Sequence, residues 1–175
     1  MARRQQAWKT SVRLLLDAHA GDPDPERVIC EKARDLVARA AALGWSGPPF
    51  DVSVLAELLD IKVEYEPATV VEDAMLVPNP ETGQFAIKVS TAMPLARQRF
   101  SIGHEITHTF FPDCAETIRL RGGRAHAGDA EVEALCDTGA SEMLFPLQHF
   151  RRDAALLGGP SLAALAELRQ QYQAS

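Results

Sequence analysis

The chain has only three cysteines in 175 residues, Cys30, Cys114 and Cys136, widely spaced and forming no CxxC pair. That excludes a disulfide framework, and the thiols are expected to be reduced. No apolar run approaches the roughly 18 to 20 residues that a membrane span needs. Near the start only Leu14, Leu15 and Leu16 follow the basic residues as a compact apolar block. This is too short for a signal-peptide core, so a cytoplasmic location and no membrane partner are expected. Positive charge is scarce as well: 18 Lys and Arg stand against 24 Asp and Glu, a formal net charge of −6. Phosphate contact needs a clustered positive surface, so no direct nucleic-acid binding is expected. The short clusters Arg3/Arg4/Lys9/Arg13 and Arg119/Arg121/Arg124 read as solvated faces. What is present, 46% apolar and 24% charged residues, is the composition of an ordinary globular protein able to bury well over half of its unfolded surface.

Apolar positions at Trp8, Val12, Leu15 and Leu16 predict a helix over about 4–19 that stops at Gly21. Pro25 opens a second over about 26–43, with Val28, Ile29, Leu36, Val37 and Leu43 on one side, before the breaker run GWSGPPF. A short third helix, over about 51–59, takes Asp51 or Ser53 as its cap. The texture then turns to β. Residues 61–66 and 84–89 alternate in polarity and 69–77 are rich in β-branched and apolar side chains, so three short strands are predicted in one antiparallel sheet. A helix over about 94–111, a loop rich in Gly, Arg and His over 112–128, a helix over 129–144 and two short helices over 147–156 and 161–172 complete an α+β chain.

Within the fourth predicted helix stands FSIGHEITHTFF, residues 100–111. Residues four apart on a helix lie about 40° apart in projection, so His104 and His108 point the same way and can share one metal ion. Glu105 projects from the adjacent edge, too oblique to ligate and placed to take a proton from a water. HExxH would arise by accident in roughly one of a hundred chains of this composition. A buried apolar helix with two hydrogen-bonded core histidines is the competing explanation, but it leaves two imidazoles and a carboxylate to satisfy without a metal. A third ligand should come from a later element, and DAEVEALCDTGASEMLF supplies it. Glu133 and Asp137 are four apart, matching a ligand glutamate and, one turn on, a carboxylate that accepts the second ring N–H of a ligating histidine. Glu131 is the nearest competitor, but it has no acid one turn on and would face away from Asp137. Cys136, one turn from Glu133, either approaches the metal or serves as a small buried hydrophobe, as Cys30 and Cys114 do.

RQRFSIGHEITHTFFP followed by EVEALCDTGASEMLFP resembles the ImmA/IrrE family of metallopeptidases. The family pattern is R-x-R-F-(S/T)-x-x-H-E-x-x-H and then E-x-x-x-(D/N)-x-x-A-x-x-L-L-x-P, and the resemblance covers about residues 50–146. It implies a zincin-like fold with a gluzincin-type site: His104, His108 and Glu133 as ligands of Zn²⁺, with Mn²⁺ or another divalent ion as an alternative, and Glu105 as base and proton shuttle. It also implies a substrate, a helix-turn-helix repressor of the XRE type, whose cleavage derepresses stress-response or mobile-element genes. The chain then divides into an N-terminal helical region (1–48), the metallopeptidase core (49–146) and a helical extension (147–175) that reads as the start of a helix-turn-helix. Two positions depart from the pattern. Thr107 stands where glycine is usual before the second histidine, and Gly139 where an aromatic usually follows the acid.

The expected chemistry wants a second donor for the oxyanion, and His126 in the loop RGGRAHAGD or Tyr65 on a strand could reach the site. The strand QFAIKV lies directly upstream of the HExxH helix, where it is either the edge strand to which a substrate peptide could add or an ordinary strand inside the sheet. His19 and His149 read as surface. Two rival functions are a non-catalytic binding or sensor module that sequesters a repressor or toxin, and a DNA-binding regulator, against which the acidic charge counts.

Overall fold

The computed structural model describes residues 10–19, 22–78, 84–120 and 129–174. Among them are eight helices and three strands in an α+β arrangement: α1 (Thr10–Ala18), α2 (Pro25–Ala42), α3 (Val52–Glu57), β1 (Lys62–Glu66), β2 (Ala74–Pro78), β3 (Phe85–Ser90), α4 (Leu95–His108), α5 (Cys114–Leu120), α6 (Ala130–Leu144), α7 (Leu147–Leu156) and α8 (Leu162–Gln171). The predicted helices start at local signals. Asp24 accepts from the N–H groups of Glu26 and Arg27 with Pro25 following it, Asp51 caps α3 through Ser53, Asp129 caps α6 through Glu131, and Ser161 caps α8 through Ala164. Each such cap satisfies N–H groups that a helix start leaves unpaired. α5 falls in the predicted loop. Its Cys114 and Ile118 join the main core, a short apolar pair that the glycines and arginines of the following segment outweighed in a reading by composition.

The sheet corrects the prediction of an antiparallel one: it is mixed, in the order β1-β3-β2. β2 pairs antiparallel to β3, Leu76 facing Ile87, while β1 pairs parallel to β3, Val63 also facing Ile87. The link from β1 to β2 passes the end of β3, where Ser90 N–H bonds Asp73 O and Thr91 N–H bonds Glu66 O. β3 takes the centre because Ala86, Ile87 and Val89 are all buried, a strand too apolar to leave an edge open to water. QFAIKV is therefore no edge strand: both its edges are paired, and no peptide can add to it. The free edge beside the HExxH helix belongs to β2.

The main buried cluster draws on α2 as well as on the segment that carries the sheet and the HExxH helix. Ala33, Leu36 and Ala40 of α2 pack in the same cluster as Val52 and Leu55 of α3, Leu76, Ile87 and Val89 of the sheet, Ile102 and Ile106 of α4 and Met143 of α6. Each of the larger aliphatic chains contributes about 1.5–3 kcal/mol by leaving water. α8 docks through Tyr172, which packs with Phe50 and stacks on Phe145 at 5.5 Å, its hydroxyl donating to Asp153 at 2.9 Å. Arg99 of α4, buried, ties the same place: its guanidinium donates to the carbonyls of Tyr172 (2.7 Å), Gln173 (3.2 Å) and Phe50 (2.8 Å).

Candidate metal centre

Two helices carry the candidate residues: α4 has His104, Glu105 and His108, and α6 has Glu133, Cys136 and Asp137. Ligation from two helices needs their backbones close, and small residues at the crossing make this possible. A Cβ on Gly103 would meet the Cα of Ala140 at 3.2 Å. A Cβ on Gly139 would meet Thr107 Oγ1 at 2.4 Å and Cγ2 at 2.6 Å. The two departures from the family pattern thus face each other. Thr107 fills the space that Gly139 leaves, fully buried, its hydroxyl satisfied by the Gly103 carbonyl at 2.9 Å.

Across this crossing His104 Nδ1 meets Asp137 Oδ1 at 2.8 Å and its Nε2 meets Glu133 Oε2 at 3.1 Å. His108 Nε2 lies 3.9 Å from the other oxygen of Glu133. An ionised carboxylate only accepts, so Asp137 holds the proton on Nδ1 of His104 and leaves Nε2 turned toward Glu133. On its other side, His108 Nδ1 meets Cys136 Sγ at 3.3 Å. His104, His108 and Cys136 are a group that could hold a metal ion, with one ligand atom of each within 4.8 Å of the others. The orientation of the rings separates two arrangements within that group. Sγ touches the Nδ1 side of His108, whereas both Nε2 atoms turn to the Glu133 carboxylate. Ligand atoms about 2.0–2.2 Å from a tetrahedral ion stand about 3.3–3.6 Å apart, and the two Nε2 atoms lie at 3.1 Å from one Glu133 oxygen and 3.9 Å from the other. The donor set of two imidazoles and a carboxylate fits a borderline divalent cation.

Glu105 is set apart from this set. Its Oε2 accepts the N–H of Leu76 on β2 at 2.9 Å, so the carboxylate is pinned to the sheet edge beside the ligand face. Burial pushes its pKa up to about 7, although the charge of His104 and the Leu76 N–H act the other way. Burial disfavours charge on His104, but the carboxylates of Glu133, Glu105 and Asp137 together outweigh it and raise its pKa. Burial drives the Cys136 thiol well above its ordinary range, and the Glu133, Glu105 and Asp137 carboxylates add to it. A carboxyl group poised near neutrality beside two imidazoles can take up and release protons at physiological pH.

The group opens onto a cavity of about 750 Å³ whose wall includes Val70–Leu76, Met93, Arg97, His104, Glu105, His108 and Glu133. An adjoining hollow of about 330 Å³ continues to Phe100, Ser101 and Asp137. At their common rim Arg97 pairs with Asp73 at 2.8 Å, and Ser101 donates to the other oxygen of Asp73 at 3.2 Å. Glu131 does not line either space. Tyr65 is on β1, separated from β2 by the central strand, 54% exposed and among the residues of a different hollow with Phe50 and Arg99. The structure does not bring it to the histidines. His126 lies outside the described residues. His149 is half-buried with its ring edge on Phe50 at 5.1 Å, and His19, also half-buried, bonds the Leu15 carbonyl at 2.8 Å. The contact of Cys136 with His108 was open in the sequence, where only its one-turn spacing from Glu133 signalled it. The Leu76 N–H had no signal there, being a backbone group brought in by strand order.

No family model matches the chain, and no curated protein matches it. Among solved structures, a Mycobacterium tuberculosis transcriptional regulator is similar, with a TM-score of 0.57 and 14% identity over 94% of this chain and 47% of that one. The chain spans about half the length of that regulator, and at this identity the likeness is one of fold alone.

Proposed function

We propose that the protein is a zinc-dependent endopeptidase of the ImmA/IrrE type, and that its substrate is a helix-turn-helix repressor of the XRE class. The observation that carries this reading is the convergence of His104 Nε2, His108 Nε2 and the Glu133 carboxylate at the floor of a cleft, with Glu105 anchored beside them by the Leu76 N–H. His104, His108 and Glu133 would hold the cation, and two imidazoles with one carboxylate are a donor set that Zn²⁺ takes at catalytic sites. When bound, it supplies the positive charge that polarises a peptide carbonyl and acidifies a water. Asp137 keeps the His104 ring turned to the site and makes it a better donor. Glu105, with its pKa near neutrality, receives the proton of the attacking water and hands it to the leaving amine. Leu76 N–H fixes the carboxylate while it changes charge.

The cleft supports a peptide as substrate: its wall from Val70 to Leu76 is a continuous backbone segment ending in the β2 edge. The name of the similar Mycobacterium tuberculosis protein, a transcriptional regulator, agrees with a role in gene control. Incubating the protein, with and without added Zn²⁺, with the XRE-type protein encoded beside it and reading the products by mass tests the proposal. One internal cut that needs the metal and disappears in Glu105→Gln is expected. Cleavage at the wild-type rate by a Glu105→Gln protein that still binds zinc would refute the role of Glu105. Tight partner binding with no metal uptake and no cut would favour a sequestering module instead.

A further inference from the structure

We infer that Cys136 is a positioning residue of the metal centre: its sulfur holds His108 by Nδ1, as Asp137 holds His104. The inference rests on the reading above in that it takes Nε2 of His108 as the ligating atom.

A histidine ligand needs its proton on the nitrogen that does not face the ion, and that nitrogen needs an acceptor. Asp137 is the acceptor for His104. Cys136 precedes Asp137 in α6, and one helical step of about 100° turns its side chain away from the cleft. There it meets the second histidine, with Sγ 3.3 Å from Nδ1. The surroundings suit sulfur. Cys136 is 0% exposed, in a cluster with Val12, Leu15, Val28, Ile29 and Val132 contributed by α1, α2 and α6. A third carboxylate at this place would be buried in apolar packing close to Glu133 and Asp137, at a high desolvation cost. A thiol accepts an N–H weakly while packing as a small hydrophobe. The two histidines are therefore unequal. His104 is held by a carboxylate and His108 by a sulfur, a weaker acceptor.

Cys136→Ser keeps an acceptor of similar size, and Cys136→Ala removes it. In metal-free protein, two-bond ¹H–¹⁵N spectra of the imidazoles should show His108 with its proton on Nδ1 in the wild type and in Cys136→Ser. In Cys136→Ala the signals should shift toward a mixture of tautomers. Competition against a chromophoric chelator should show Zn²⁺ affinity falling about 10- to 100-fold in Cys136→Ala and staying near wild type in Cys136→Ser. Unchanged tautomer and affinity in Cys136→Ala, or equal losses in both variants, would overturn the inference. So would a sulfur-to-metal charge-transfer band in the Co²⁺-loaded wild type that Cys136→Ser lacks, since Cys136 would then be a ligand. If the wild type takes up no divalent ion, the metal reading fails, and the metal-free spectra still decide whether Cys136 sets the tautomer of His108.

Discussion

Gly139→Ala should destabilise the protein even though alanine is the better helix former. In an exposed helix interior this change gains about 1 kcal/mol. Here the new Cβ would stand 2.4 Å from Thr107 Oγ1, 2.6 Å from Cγ2 and 3.0 Å from Cβ. Thr107 is 0% exposed and its hydroxyl is bonded to Gly103 O, so turning it aside gives up a hydrogen bond worth about 1 kcal/mol. Forcing the helices apart instead costs about 1–3 kcal/mol by the measure of overpacked cores. After the gain from alanine the net expectation is a loss of up to about 2 kcal/mol, and each kcal/mol lowers the melting temperature by about 2–4 °C in a chain of this size. Thr107→Ala deletes the two atoms that make the shortest contacts. In that background Gly139→Ala should cost little, which gives a coupling energy of about 1–3 kcal/mol between the positions. Urea unfolding of the four proteins in chelator, followed by circular dichroism, measures it. A Gly139→Ala protein that is more stable than wild type by the full gain of about 1 kcal/mol, or one that Thr107→Ala does not relieve, would refute the claim that a reciprocal fit at this crossing sets the distance between the ligand helices.

Zn²⁺ at 100 times its dissociation constant should raise stability by about 2.7 kcal/mol, read as a melting shift that chelator reverses and His108→Ala abolishes. Arg99→Met should cost about 2–4 kcal/mol and expose the C-terminal helices to limited proteolysis, because three carbonyls lose a charged donor while no metal ligand is touched. Asp153 offers a pH test. Burial acts to raise its pKa, but the Tyr172 hydroxyl and Arg152 prevail and hold it below the ordinary 3.8. A depressed carboxyl stabilises the fold fully above the unfolded pKa and loses that contribution as pH falls through the folded one. Asp153→Asn should therefore flatten the stability profile below about pH 4 and leave its upper part parallel to wild type, as thermal melts across pH would show.

The sequence alone was enough for the parts whose cause is local. HExxH spacing puts His104 and His108 on one face of α4 whatever surrounds it, and the Glu133 and Asp137 spacing does the same on α6. The Asp51 cap marks where α3 begins, because the side chain that satisfies the first N–H groups sits within three residues of them. Strand order was not legible in this way. Alternation says which face of a strand is apolar and nothing about its neighbours, so it left β3 open between edge and interior, and the structure pairs it on both sides.

Tertiary structure alone decided what lies between elements. It brought the Leu76 N–H to Glu105, sent Tyr65 to the far strand, turned Cys136 onto His108 and set Gly139 against Thr107. The physical reason is the same in each case. A helical or strand period reports the direction of a side chain about its own axis, while the partner it meets depends on how closely two backbones approach. At the crossing of α4 and α6 that approach is set by the absence of a side chain on Gly139 and the presence of one on Thr107, two residues that carry no chemistry of their own.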